Sequence, residues 1–390
     1  MMSPCFKSVC LCALGLFLSL PRVAAGTESQ ATGPGDDLFA SPRVIPLTIE
    51  IGDAELKTML AGSHQYGRCT VRENGVTYAE VGIRYKGNPD KEAASGKPDF
   101  TVEFNEFVRG QKFHGLKRVI LLAGRDDPSY LSAPIGLELF RNAGIPAARS
   151  GFASVQCNGR NLGLYVLVEG VDRDFLKRHF DDHKGNLYDE GKRTDVDGKL
   201  EKYGSKNNDN QADVDALAAA ARESDPGRRW EQLQRVLDVD RFITFAALEV
   251  FLWQKGSYAR HARKFRLYHD PVSNRMVFFP KNVEEVLQKT DGPMFPEWKG
   301  VVARAVLTTP EGEKRYRATM TRLLDTVIQP GKVQARAREL AAIIRPFAAG
   351  KEAGAARQFD EAVKQFCEAI ASRASFLAKS HAGIDTQDAQ

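Results

Sequence analysis

Two Asn-Gly pairs, Asn74-Gly75 and Asn158-Gly159, each stand between runs that alternate apolar and polar residues. A two-residue hairpin turn needs positive φ at both central positions, which Asn and Gly reach at low cost, so each pair predicts a β-hairpin. The first hairpin covers Val71 to Tyr85. The second runs from Phe152 to Gln156 and returns from Leu162 to Glu169. Leu47, Ile49 and Ile51 alternate in the same way, as do Phe100, Val102 and Phe104, while Val119 to Leu122 reads as a fully buried strand. The first part of the chain is therefore a sheet. One helix interrupts it, starting at Asp127-Pro128, carrying Leu131, Ile135 and Leu139 at four-residue spacing, and stopping at Gly144 before Pro146. Pro134 either kinks this helix or marks its true start.

The period then changes. Val214 to Arg222, Arg228 to Leu237 and the strongly apolar Asp240 to Trp253 read as helices. One more hairpin follows, Lys264 to His269 and Met276 to Phe279. The chain is helical again from Glu311 to about Lys379, with breaks expected at Pro330 and Pro346. No internal repeat is present.

The first 25 residues read as a targeting signal. Lys7 supplies a short positive region, Val9 to Leu20 is apolar, and Val23-Ala24-Ala25 offers small residues before a cut. The apolar run is too short for a stable span. We therefore expect an exported protein, periplasmic or secreted, with no membrane span after cleavage. Residues 26–43, rich in Gly, Ser, Thr and Pro, read as a disordered linker. A net charge of +5 over 390 residues is too small to make nucleic acid the main partner, or to hold the chain on a membrane electrostatically. Cys69, Cys157 and Cys367 remain after cleavage. We read them as unpaired buried thiols, with one disulfide plus a free thiol as the alternative. No HExxH and no zinc-like Cys/His spacing occurs. Asp195-x-Asp197-Gly198 and Asn207-Asn208-Asp209 hint at a Ca²⁺ loop but lack its spacing and closing Glu, and read as a solvated acidic loop.

Beyond the pattern, a series of short motifs stands in fixed order. They are RYKGN (Arg84 to Asn88), KPDFTVEF (Lys97 to Phe104), GQKFHGLKRVILL (Gly110 to Leu122), DPSYL (Asp127 to Leu131), LFRNAGIPAAR (Leu139 to Arg149), NGRNLGLYVLVEGV (Asn158 to Val171), GNLYD (Gly185 to Asp189), RLYHDP (Arg266 to Pro271) and RMVFFP (Arg275 to Pro280). Together they resemble the spore coat protein H (CotH) kinase family, over about Val44 to Pro346. The resemblance implies an α+β, atypical protein-kinase-like fold. A β-rich N-lobe would span 44–170 and a mainly helical C-lobe with an inserted hairpin 171–346, followed by a C-terminal helix and tail at 347–390.

It also implies residue roles. Arg84, Lys86 and Lys97 take the positions of phosphate-facing cations. Glu138 takes the place of a helix Glu that would pair with Lys97. Val166 to Gly170, with Glu169 in it, would be the hinge against adenine. Solvated side chains, or a plain buried strand at the hinge, are the bland alternatives at these positions.

The catalytic side departs from the family. Active members carry an Asp-Gly-Tyr run after the apolar helix, a His-Asn pair at the start of the inserted hairpin, and a Pro-Trp-Asp-x-Asp run after it. Here the orienting Asp position falls on Gly256, the His-Asn pair on Arg263-Lys264, Trp on Lys281, and the two Asp positions on Asn282 and Glu284. Gly256 cannot orient a hydroxyl, and Lys264 would repel a metal. Asn282 and Glu284 keep oxygen ligands but weaken an Mg²⁺ site, which needs near-ideal octahedral geometry. No catalytic residue is therefore assigned. Lys255, Arg263, Lys264 and Lys281 bring positive charge where a metal would sit, and an ammonium can neutralise phosphate on its own.

The expectation is an exported pseudokinase that acts as a binding or scaffold module for an extracytoplasmic protein partner. Either ATP or another anion binds without Mg²⁺, or no nucleotide binds at all. An active ATP-dependent protein kinase using Glu284 with a displaced carboxylate, Glu285 or Asp291, is one alternative. A surface adhesin is another.

Overall fold

The computed structural model describes residues 33–62, 65–191, 194–203, 210–348 and 354–388. The expected signal and the Asn207-Asn208-Asp209 loop lie outside them. The chain is ordered earlier than its composition suggests. Residues Asp36–Phe39 form a short helix, α1, with Leu38 buried. Arg149 ties it down through Asp36 at 2.6 Å, and Gly35 N donates to the His114 carbonyl at 2.7 Å. The disordered linker expected to reach residue 43 is corrected accordingly: ion pairs made by distant residues hold a segment that has no periodicity of its own.

Seven strands close into a barrel: β1 (Val44–Ile51), β2 (Gly67–Glu73), β3 (Val76–Tyr85), β4 (Phe100–Glu103), β5 (Arg118–Leu122), β6 (Ser150–Cys157) and β7 (Arg160–Glu169). Their order is β1-β2-β3-β4-β5-β7-β6, with β6 returning parallel to β1. Both Asn-Gly pairs make the expected turns, with positive φ at Asn74, Gly75, Asn158 and Gly159. Two short helices, α2 (Asp53–Leu60) and α3 (Pro89–Ala94), sit in the connections. Ile49, Val71, Ile83, Val102, Leu121 and Leu167 fill the barrel. Leu164, Val166 and Val168 of β7 instead face the helical core. The apolar run at 164–168 is thus continuous because β7 is buried on both faces, Tyr165 and Leu167 pointing into the barrel.

The inserted helix is α4 (Ser132–Asn142). It starts at Ser132, five residues after the predicted cap, yet Asp127 does cap it from a distance: Asp127 Oδ2 accepts from Ser132 N at 2.7 Å. Pro134 lies in the first turn, where no backbone N–H is needed, and makes no kink.

After β7 come α5 (Arg173–His179), β8 (Leu187–Asp189), β9 (Glu201–Lys202), α6 (Ala212–Arg222), α7 (Pro226–Val236), α8 (Val239–Leu252), α9 (Tyr258–His261), β10 (Phe265–Asp270) and β11 (Arg275–Pro280). The predicted hairpin β10–β11 widens into a sheet of order β11-β10-β8-β9. Its turn is closed by Asp270, which accepts from Val272 N at 3.1 Å and Ser273 Oγ at 2.7 Å. The chain ends in α10 (Val301–Leu307), α11 (Pro310–Thr326), α12 (Pro330–Ala348) and α13 (Ala355–Asp388). Pro330 opens α12, and Pro346 lies inside its last turns without ending it.

α8 is buried almost all round, among them Phe242, Phe245, Leu248 and Leu252, and is the axis of the helical core. Arg373 of α13 is fully buried against its C-terminal end. It donates to the Val250 carbonyl at 2.8 Å and that of Phe251 at 3.2 Å, and also to the carbonyls of Thr290 and Gly292. Cys69, Cys157 and Cys367 are all unpaired, and Cys157 is half-buried rather than buried. Among the described residues no helix is long and apolar enough to cross a membrane.

Candidate functional site

A cleft separates the barrel from the helical part. Its apolar slot, narrow at about 30 Å³, is lined by Ile120 and Leu122 of β5, Ala133 and Leu137 of α4, Ala148 and Val168. Lys86, Glu169, Arg266, Asn282 and Glu284 stand at its polar edge. Four of the predicted site residues therefore reach one cavity: Lys86, Glu169, Asn282 and Glu284.

The cations do not behave as a set. Lys86 follows β3, and its Nζ lies 2.6 Å from Glu284 Oε1 with both side chains largely buried. The predicted phosphate ligand and the predicted metal ligand are thus bound to each other. Lys97 lies deeper. Its Nζ donates to Tyr130 Oη and to the Leu164 carbonyl, each at 2.7 Å. The rings of Tyr130 and Tyr165 stand 5.0 Å from it on either side. Burial pulls its pKa down to about 8, against the attraction of Asp99. Arg84 packs its guanidinium over Tyr66 at 5.1 Å.

Glu138 does not pair with Lys97. It faces the other side of α4, where Arg336 of α12 holds it at 3.1 Å. The pairing expected from the resemblance is corrected: α12 supplies a nearer cation, and an aromatic cage already satisfies Lys97. Glu169 is buried and engaged. Burial raises its pKa, but hydrogen bonds from Arg178 and Arg149 override that and hold it below the usual carboxylate range. The Arg178 contact is bidentate, at 2.6 and 2.5 Å.

On the opposite wall the replaced positions meet. Gly256 has φ +73°, and a Cβ there would lie 3.2 Å from Lys264 Cε. The Lys264 side chain thus packs over Gly256, the position that the resemblance assigns to an orienting Asp. Lys264 is itself left-handed, with φ 54°. Glu190 Oε2 accepts from its N–H at 2.6 Å, and its carbonyl accepts from Lys281 N at 3.0 Å. Burial lowers the Lys264 pKa, opposed by Glu284 and Glu285 and reinforced by Lys86 and Lys255. Lys255 itself pairs with Glu285 at 2.6 Å. Three ammonium and two carboxylate groups therefore share this end of the cleft.

Asn282 sits in the loop after β11, with φ 55°. Between it and Glu284, Val283 plugs against α4 at Gly136. The buried Gln254 donates to the Lys281 carbonyl at 3.3 Å. One amide and one carboxylate, the latter already against Lys86, do not fit Mg²⁺, which wants an oxygen octahedron. Among the described residues no group of three or more His, Cys, Asp or Glu side chains is arranged to hold a metal. Asp291, a candidate displaced acid, is exposed, with Lys289 at 3.9 Å.

Three acidic residues near the site escape motif reasoning. Asp189, at the end of GNLYD, binds Lys281 and takes Arg266 at 3.3 Å; only the addition of β8 to the hairpin brings it there. Glu249 on α8 is fully buried and accepts from Tyr258 N and Ala259 N, each at 2.8 Å, which fixes the turn after Gly256. Burial pushes its pKa up to about 8. A lone charged residue in the apolar stretch of α8 after Arg241 was the available signal. Asp195, in the segment read as a solvated acidic loop, is instead half-buried and accepts from Tyr258 Oη at 2.9 Å and Val301 N at 2.7 Å. Its carboxylate is spent on internal bonds, and Asp197 pairs with Arg222 at 2.9 Å.

The fold and site together define an α+β protein with a charged cleft between a closed barrel and a helical body. The model of the family "CotH kinase protein" matches residues 83–377, and the chain belongs to that family. It is similar to the inner spore coat protein H of Bacillus subtilis (strain 168), 21% identical over 328 residues, which cover 78% of this chain and 88% of that protein. Among solved structures it is similar to the proinflammatory kinase CtkA of Helicobacter pylori, at 8% identity and a TM-score of 0.35, covering 83% of this chain and 93% of that one. It is also similar to HipA of the Shewanella oneidensis MR-1 toxin–antitoxin system, at 11% identity and a TM-score of 0.28, covering 73% and 60%.

Proposed function

We propose that this CotH-family chain is an exported pseudokinase: a binding or scaffold module whose kinase-like cleft takes an anion without a divalent metal and transfers no phosphate. The observation that carries the reading is the packing of Lys264 over Gly256. A hydroxyl cannot be oriented where there is no carboxylate, and the space is filled by the side chain of a cation. The pairing of Lys86 with Glu284 supports it further, because the remaining metal-position carboxylate is neutralised by an ammonium at 2.6 Å. Among the described residues Lys264 makes no ion pair, so its charge is available to a phosphate.

Titrating labelled ATP with and without Mg²⁺ tests the reading. Affinity should be unchanged or lower with Mg²⁺, and a radiolabelled phosphotransfer assay, autophosphorylation included, should stay at background. Mg²⁺-enhanced binding with label transfer would return the chain to the active kinases. Export belongs to the same proposal, and the mass of the mature protein tests cleavage after Ala25.

A further inference from the structure

The back of α4 carries a second concentration of charge. A cavity of about 190 Å³ opens between α1, the start of β6, α4 and α12. Arg141, Arg149 and Arg336 line it. Glu138 is the one carboxylate among its described lining residues, and Phe39 and Phe152 supply apolar wall. Two of the guanidinium groups are matched. Arg149 divides itself between Asp36 at 2.6 Å and Glu169 at 2.8 Å. Arg336 divides itself between Glu138 at 3.1 Å and Glu339 at 2.8 Å.

Arg141 has no such match. Among the described residues its guanidinium donates to the Ala148 carbonyl and pairs with no carboxylate. Glu138, the acid that acts on it most strongly, is held by Arg336, and the buried Glu169 is shared by Arg149 and Arg178. Burial lowers the Arg141 pKa to about 10, with Arg178 and Arg149 adding to it against Glu138 and Glu169. The group still remains charged at neutral pH, so a cation without a counter-ion borders an open cavity. A half-buried charge left in this way is costly unless an anion completes it.

We propose that this cavity is a binding site for a small organic oxyanion. Its phosphate or carboxylate meets the guanidinium fork of Arg141, flanked by Arg149 and Arg336, and its carbon skeleton lies against Phe39 and Phe152. Guanidinium groups bind both headgroups through paired N–H donors. The site goes beyond the cleft reading, since neither Lys86, Lys264 nor Glu284 lines it.

Calorimetric titration of the whole mature chain tests it, with phenyl phosphate, benzoate and inorganic phosphate at constant ionic strength and chloride as the control. Saturable binding of phenyl phosphate or benzoate is expected, and the stronger of the two identifies the headgroup. Arg141→Met should weaken it about tenfold, in the parent chain and equally in the Lys264→Met background, where the cleft is silenced. Should Arg141→Met fail to fold, Arg336→Gln must weaken the same binding. No saturable binding of any of the three anions, or binding that Lys264→Met abolishes and the arginine variants do not, overturns the proposal.

Discussion

Lys86 Nζ and Glu284 Oε1 lie 2.6 Å apart and join the end of β3 to the loop after β11 across the cleft. Partly buried pairs of this kind are screened little by salt, and removing one partner leaves the other charge uncompensated. An anion entering the cleft must therefore compete with Glu284 for Lys86. Glu284→Gln should tighten metal-free ATP binding severalfold, and Lys264→Met should weaken it about tenfold, since each charged hydrogen bond is worth about 1.5–3 kcal/mol. Fluorescence titration with a labelled nucleotide in EDTA measures both, and a Glu284→Gln variant that binds more weakly contradicts the competition.

Gly136 leaves room for Val283. A Cβ at position 136 would meet Val283 Cγ1 at 2.5 Å. Gly136→Ala should push the 282–284 loop off α4 and destabilise the protein by about 1–3 kcal/mol. Urea denaturation reads the loss. Stability equal to that of the parent chain would mean that the loop moves freely.

Arg373 gathers carbonyls from α8 and from the Thr290–Gly292 stretch, and burial is the main cause that lowers its pKa, to about 10. Trp253 lies between it and Arg260, at 5.0 and 3.5 Å from the two guanidinium carbons. Arg373→Met strands several buried acceptors at once and should cost about 3 kcal/mol or more. The denaturation midpoint should fall with little change in m, whereas an unchanged midpoint would show that water replaces the guanidinium.

Glu249 makes stability depend on pH. Its carboxyl rises from an ordinary 4.5 to about 8 because it is buried. Between those values the unfolded chain releases a proton that the folded chain keeps, so stability is full below about 4.5 and falls as pH rises toward 8. Glu249→Gln should flatten that slope. Melting curves of the two proteins from pH 4.5 to 8 compare it, and parallel curves would assign the slope to other groups.

The hairpins, the apolar axis of α8 and the run of family motifs were legible in the sequence, because each is a local pattern. Asn-Gly fixes a turn within two residues, and periodicity exposes a buried face. That Gly256 and Lys264 stand close together was not legible: motif order only assigned them the positions of an orienting Asp and a metal Asn, and the packing of one on the other belongs to the tertiary structure. Which charges meet was not legible. Glu138 turned to Arg336, Lys97 to two tyrosines, Lys86 to Glu284, and Asp195 to Tyr258 and a helix N-terminus. These partners are far apart in the chain, and several cations compete for each acid. Distance and burial choose among them, and both exist only once the barrel and the helical core have packed.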